Sequence, residues 1–416
     1  MSFAQTGSSK TVMDGLAQLQ SAICEAKWFQ PQREVGKVGE DWMSGFGNSL
    51  ESPVGHHPPL SQSVFAGDRV AIVLQSDLPQ ARLVVECLLK RLMDTSIEPT
   101  DITVVISPLM ARQFGLADSP VEPKSNEMEL QHPLDDEFRP VSFLVHDAQD
   151  EFGVAYIAAN EEGLPVKVNR AIVDADVILP IGCPRSEDGD SLVDCIYPEY
   201  CHDETKRRYR EQINSVKERR AEIELANDHL GAFYSIQIVA GAGGQILETI
   251  SGERHAAIQK AESESRRAWA IVPVGSADAV VATIETDASQ QTWKDFAKAV
   301  VAANSVANSR GPIVVWSEIG EQPKSEIRKA LNDSFESVSR ARLSGLMQSI
   351  ADIAAERQIF LKSRLAQSVV EELGLGFVAS VSDVVRLVQS QNSGVMLRDA
   401  HLCQVQRQLE NVDVDK

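Results

Sequence analysis

The sequence predicts an α/β protein: two α/β domains with mainly parallel sheets flanking a cleft. Three observations carry this. Asp68-Arg69-Val70-Ala71-Ile72-Val73-Leu74 and Ile102-Thr103-Val104-Val105-Ile106 are short, largely aliphatic runs of the kind that form strands buried on both faces. Between them Leu83, Val84, Cys87, Leu88 and Leu92 recur at helical spacing. A second strand–helix alternation begins after about residue 268, with strands expected at 279–284 and 313–317. Strands separated by helices must be joined by crossovers, and crossovers give parallel pairing.

The remaining elements follow in order. A helix is expected over 11–25, from Val12, Leu16, Leu19 and Ile23, then an irregular arm to residue 67 rich in Gly, Pro, Ser and His. The first α/β domain is expected over 68–250. Inside it, 112–140 reads as an exposed excursion and Val141–Val145 as a strand. Gly163–Arg170 reads as a turn, a small strand and a helical bridge, and Asp176–Ile181 as a buried strand. A charged helix is expected over 204–229. Gly241-Ala242-Gly243-Gly244 invites a phosphate-loop reading, but such a loop must open a helix so that amides and helix dipole meet the anion. Strand-like runs at 233–239 and 245–250 flank these glycines, so a hairpin turn is expected. A bridging helix over 251–267 leads to a second α/β domain over 268–395, starting with a strand at 269–274. Helices are expected near 291–308, 323–336 and 338–357. Within 359–389 we expect a strand, a helix and a further helix opened by Ser382-Asp383. Residues 396–416 read as a tail.

Composition excludes several roles. Forty Lys and Arg against sixty Asp and Glu give the 416-residue chain a net charge of -20. That field repels a phosphate backbone, and no nucleic-acid partner is expected. The one basic run, Lys206-Arg207-Arg208-Tyr209-Arg210, is followed by Glu211, Glu218, Glu222 and Glu224 and reads as a solvated helix face. No stretch approaches the ~20 apolar residues of a membrane span, so no membrane partner is expected. The N-terminus lacks the charged start and apolar core of a secretory signal, and a cytoplasmic location with reduced thiols is expected. Cys183, Cys195, Cys201 and His202 invite a zinc reading, and Asp188, Asp190 and Asp194 a calcium one. The spacings match neither pattern, and structural thiols and an acidic surface loop are expected. No Gly-x-Ser-x-Gly elbow supports a hydrolase.

Several stretches resemble, in order and spacing, the nickel-pincer lactate racemase family. They are Gly67–Val73 leading into Ser76-Asp77, His146–Asp150, Gly163–Gly182, Ser251–Ala257, Asp278–Val281, Lys298–Val300, Arg310–Ile313 and Leu373-Gly374. The resemblance covers roughly residues 65–390. It implies a racemase or epimerase of 2-hydroxy acids, with hydride passing through a nickel–pincer nucleotide tethered to a lysine. It also implies two histidines that exchange the hydroxyl proton, a metal-ligating histidine, and an arginine holding the substrate carboxylate.

The chain departs from that pattern where the chemistry is expected. The first loop reads Asp77-Leu78-Pro79-Gln80, with Gln80 at the arginine position and Arg82 two residues on. Ala111 stands at one histidine position. Cys183-Pro184-Arg185 replaces Glu-Pro-His, and residues 183–195 contain no lysine. The metal histidine would fall near Tyr209 or Arg210, and Asp295 replaces the glutamine companion of Lys298. The resulting expectation is a divergent, cofactor-free member, possessing a cleft for a small organic anion or a regulatory role. Its candidate cleft residues are Asp77, Gln80, His146, Arg185 and Lys298. The alternative is a racemase or epimerase using the nickel-pincer nucleotide with relocated residues.

Overall fold

A computed structural model describes residues 17, 19, 28–29, 42–116, 133–160, 162–184, 195–211, 213, 215–271, 277–308, 310–331 and 345–405. In chain order its strands are β1 (Trp28–Phe29), β2 (Val70–Leu74), β3 (Ile102–Ile106), β4 (Ser142–Val145), β5 (Val154–Ala159), β6 (Pro165–Asn169), β7 (Val177–Gly182), β8 (Tyr234–Ala240), β9 (Ile246–Glu253), β10 (Ala270–Ile271), β11 (Ala279–Thr283), β12 (Ile313–Trp316), β13 (Ile359–Lys362), β14 (Gly376–Phe377), β15 (Gly394–Leu397) and β16 (Gln404–Val405). Two six-stranded sheets dominate, ordered β4-β3-β2-β7-β8-β9 and β1-β15-β11-β12-β13-β14. All pairings in them are parallel except β8 with β9. The α/β class with mainly parallel sheets is therefore as the sequence implies.

The central strands are apolar because both faces are covered. β2 sends Val70, Ile72 and Leu74 into one buried cluster and Ala71 and Val73 into another, the period-two division of a strand. The first cluster is continuous between the sheets: Tyr234, Ile246 and Trp269 from one side share it with Ile284, Phe296 and Val315 from the other. Burial of this kind contributes about 25 cal/mol per Å² of apolar surface removed from water.

Several elements differ from the sequence reading. The arm is not irregular throughout: Trp42–Glu51 is a helix with Phe46 and Leu50 buried. Its stripe is masked in sequence by Ser44, Gly45, Gly47, Asn48 and Ser49, all poor helix formers. A β-carbon at Gly47 would stand 2.4 Å from the Arg91 guanidinium, so a larger residue there needs that exposed side chain to move aside. Of the helix expected over 11–25, Ala17 and Leu19 alone lie within the described residues; Leu19 is buried against Val281, Val314 and Trp316. The excursion over 112–140 is packed at its end, where Leu134 and Phe138 are buried; 117–132 lie outside the described residues. β5 was not foreseen; it pairs antiparallel with β6.

The charged helix is two, Asp203–Glu211 and Val216–Leu230, the second capped by Ser215 accepting from Glu218 N. Trp269 ends the helix Arg254–Trp269 instead of opening a strand, and its indole donates to Ala240 O at 2.8 Å. Helix Val381–Gln389 is opened by Ser380 in a capping box with Asp383, two residues before the expected start. Residues 396–405 are not a tail. They complete β15, turn through Ala400–Leu402 and pair β16 with β10. The glycine cluster is the turn between the antiparallel strands β8 and β9, as expected.

Candidate ligand crevice

Each sheet reverses its strand order once. In the first, β2 leads outward to β3 and β4, and β7 returns to the other side of β2; in the second, β11 leads to β12, β13 and β14, and β15 returns beside β11. At such a point the loops leaving neighbouring strands part in opposite directions and leave a crevice at their carboxyl ends. Here both crevices border one groove. It is lined by Asp77, Leu78 and Pro79 after β2, Gln113 after β3, and Ala240, Gly241 and Gly244 of the glycine turn. Thr286, Gln290 and Asp295 after β11, and His401 and Leu402 after β15, close the other wall.

The glycine turn is gripped from both sheets. Gln80 Nε2 donates to Gly244 O at 3.3 Å, and Asp399 Oδ2 accepts from Gly243 N at 2.8 Å. Gly243 and Gly244 both have positive φ, which only glycine adopts without strain.

Behind Asp77 lies a polar cluster at the first reversal. Gln75 Nε2 donates to Asp77 Oδ1 at 2.6 Å, and Gln75 Oε1 accepts from Cys183 N at 2.9 Å, tying the end of β2 to the end of β7. Ser76 Oγ bonds Ser107 Oγ at 2.6 Å and also a Glu199 carboxylate oxygen. Ser107 in turn accepts from Met110 N and caps the helix Pro108–Gln113. The Glu199 carboxyl titrates at about 7, raised first by desolvation and then by the charge of Asp77, against the opposing pull of Ser76, Lys206 and Lys294. A carboxyl poised there exchanges protons near neutrality.

At the second reversal Glu285, 3% exposed, is paired to Arg398, whose Nε donates to Glu285 Oε1 at 2.9 Å. Thr283 Oγ1 donates to the same oxygen at 2.7 Å, and Asp399 Oδ1 accepts from Glu285 N at 2.9 Å. Asp295 shapes the groove while capping its own helix, Trp293–Val306, with Oδ2 accepting from Thr292 N at 3.0 Å.

The five residues picked from sequence meet different fates. Asp77 lines the groove and Gln80 reaches its glycine turn. Lys298 is buried one turn beyond Asp295. Arg185 lies outside the described residues. His146 is not among the groove's residues: it is buried, with Nε2 at 3.0 Å from Cys201 O and Nδ1 at 3.1 Å from Asn169 Nδ2, its ring tilted against Tyr200. Desolvation, reinforced by Lys206, lowers its pKa to about 4, so it is a neutral core group. Asp147 closes the turn that follows, accepting from Gln149 N.

Arg82 points outward to Glu86 and Asp135. Cys183 belongs to one face of the first sheet while Cys195 and Cys201 belong to the other, and His202 pairs with Glu151. Among the described residues no group of three or more His, Cys, Asp or Glu could hold a metal ion. No described helix is long and apolar enough to cross a membrane. Sequence reading missed Glu199, Glu285 and Arg398. The available signal for Glu199 was a single acid inside Ile196-Tyr197-Pro198-Glu199-Tyr200, an otherwise uncharged run that must pack.

Residues 30–184 match the family model of the lactate racemase N-terminal domain. No curated protein matches the sequence. The lactate racemase apoprotein of Thermoanaerobacterium thermosaccharolyticum superposes with a TM-score of 0.62 at 12% identity, covering 92% of this chain and 96% of that one. A structural-genomics protein from Thermotoga maritima superposes with a TM-score of 0.57 at 13% identity, covering 90% and 100%. Residues 30–184 are thus similar to the lactate racemase N-terminal domain, on a chain that shares the overall fold of the lactate racemase apoprotein.

Proposed function

We propose that this chain is a divergent lactate racemase-like protein that binds a small polar molecule in the groove and does not run the family's nickel-pincer chemistry. The observation that carries this reading is the commitment of Gln80. It stands where the resemblance calls for a carboxylate-holding arginine, and it spends its amide on Gly244 O. Ala111, at one proton-exchanging position, is packed in the core and has no titratable group. Residues 183–195 offer no amine for a tether. These residues do not fit the nickel-pincer nucleotide.

The small-anion expectation rests on Lys298 and Arg185. Asp77, Asp295 and the Glu199 carboxyl weigh against it, because each ionised acid repels an anion at close range. The alternative remains a 2-hydroxy acid racemase with relocated residues. Intact mass of the purified full chain and chiral analysis of lactate with added nickel separate the two. We expect no nucleotide-sized adduct and no interconversion. An adduct together with nickel-dependent interconversion would establish the alternative.

A further inference from the structure

The cluster behind Asp77 has a chemistry of its own. Ser76 and Ser107 supply hydroxyls, Asp77 and Glu199 supply carboxyls, and the amides of Gln75 and Gln237 converge over Gly182. A β-carbon on that glycine would stand 3.2 Å from Gln75 Oε1 and 2.9 Å from Gln237 Nε2. Gln237 is 3% exposed, and while its Nε2 donates to Ser235 Oγ, its Oε1 has no hydrogen-bond partner among the described residues. A buried acceptor left unmet is costly, and it calls for a donor from water or from a bound molecule. The Ser76 hydroxyl links Ser107 to Glu199, so a proton can be accepted or donated at that carboxyl without leaving the cluster uncompensated.

We propose that Ser76, Asp77, Glu199 and Gln237 form a subsite for an uncharged polyhydroxyl molecule, a sugar or polyol, and not for a hydroxy acid anion. This deepens the preceding reading and rests on it. Vicinal hydroxyls each donate and accept, which matches paired carboxyl oxygens, a serine hydroxyl and an amide oxygen. A carboxylate ligand would instead face Asp77 with Gln80 where a planar guanidinium would be needed. Lys206 and Lys294 act on Glu199 from the helices Asp203–Glu211 and Trp293–Val306, and with Asp77 they are the charges that set its protonation. Above about pH 7 the carboxyl only accepts; below that it also donates, so binding of one polyol changes across this pH.

The test is calorimetric titration of the full chain with D-glucose, ribitol and myo-inositol, and with lactate as the anion, at pH 6 and pH 8. Variants are Ser76→Ala, Ser76→Thr, Asp77→Asn and Glu199→Gln, each checked for folding by near-UV circular dichroism. We expect at least one neutral compound to bind more tightly than lactate. Its affinity should fall tenfold or more in Ser76→Ala and Asp77→Asn, with Ser76→Thr, which keeps the hydroxyl, falling less. The difference between pH 6 and pH 8 should vanish in Glu199→Gln. Lactate binding more tightly than all three neutral compounds, neutral binding indifferent to the variants, or no binding by any compound each overturns the proposal. Racemase activity is measured separately, so its appearance would fault the cofactor-free reading and not the subsite.

Discussion

Gln80 and Asp399 hold the two sides of one glycine turn, Gln80 through Gly244 O and Asp399 through Gly243 N. They are also the non-glycine residues with positive φ among the described residues, at 49° and 44°. Each lies in a loop leaving a strand at a sheet reversal. Left-handed backbone at such residues costs on the order of 1–3 kcal/mol, and it persists where surrounding bonds over-determine it. Asp tolerates this conformation better than Gln because its short side chain bonds locally.

The two residues should therefore respond differently to substitution. Gln80→Gly releases strain while losing one neutral hydrogen bond, and these nearly cancel. We expect unfolding free energy within about 1 kcal/mol of the parent, with faster hydrogen exchange across 241–245. Asp399→Ala leaves the amides of Gly243 and Glu285 unmet and should cost about 2–4 kcal/mol. Equal losses from both substitutions in urea denaturation would contradict this account.

Glu285 and Arg398 form a largely buried pair at the second reversal. Arg398→Met strands a carboxylate that is 3% exposed, and a loss of about 3–5 kcal/mol is expected. Adding Glu285→Gln to that variant removes the uncompensated charge and should recover more than half of the loss. A double variant no more stable than Arg398→Met would show that packing, not charge, dominates there.

Two desolvated groups give opposite pH dependences. The Glu199 carboxyl is raised from 4.5 to about 7, so its contribution is fully present below 4.5 and is lost as pH rises through 7. His146 is lowered from 6.5 to about 4, so its contribution is present above 6.5 and is lost as pH falls through 4. Relative to the parent, Glu199→Gln should be more stable at pH 8 than at pH 5. His146→Asn should compare more favourably at pH 4 than at pH 7. Denaturation midpoints measured from pH 4 to pH 8 decide both, and a constant offset for either variant would refute its assignment.

Gly252 marks a close approach of backbones. Its φ is 144°, and a β-carbon would lie 2.2 Å from Val54 O. Val54 is held there by bonds from its N to Ser251 O and from Glu253 N to its O. Gly252→Ala must push this segment off the edge of β9, and a loss of roughly 2–3 kcal/mol is expected. An alanine variant as stable as the parent would mean that the segment from 52 to 55 has no fixed position.

The strands β2, β3, β7, β11 and β12 were legible in the sequence because each is an apolar run buried on both faces, and β8 and β13 because their apolar residues recur at strand spacing. The hairpin at 241–245 was legible for a related reason: strand-like residues stood on both sides of its glycines. Only the tertiary structure decided which side chains share a site. His146 was a candidate cleft residue, yet Asn169 and the Cys201 carbonyl, distant in sequence, hold it in the core. Glu199, alone in an apolar run, acquires its proton affinity from desolvation and from Asp77, neither of which is visible along the chain. The residues after β15 read as a tail because they are short of periodic apolar residues. They are ordered by bonds to Thr283, Glu285 and Gly243 that no local pattern encodes. Periodicity reports burial of a strand or helix against whatever covers it; it does not report which loops meet, and the groove is made of loops.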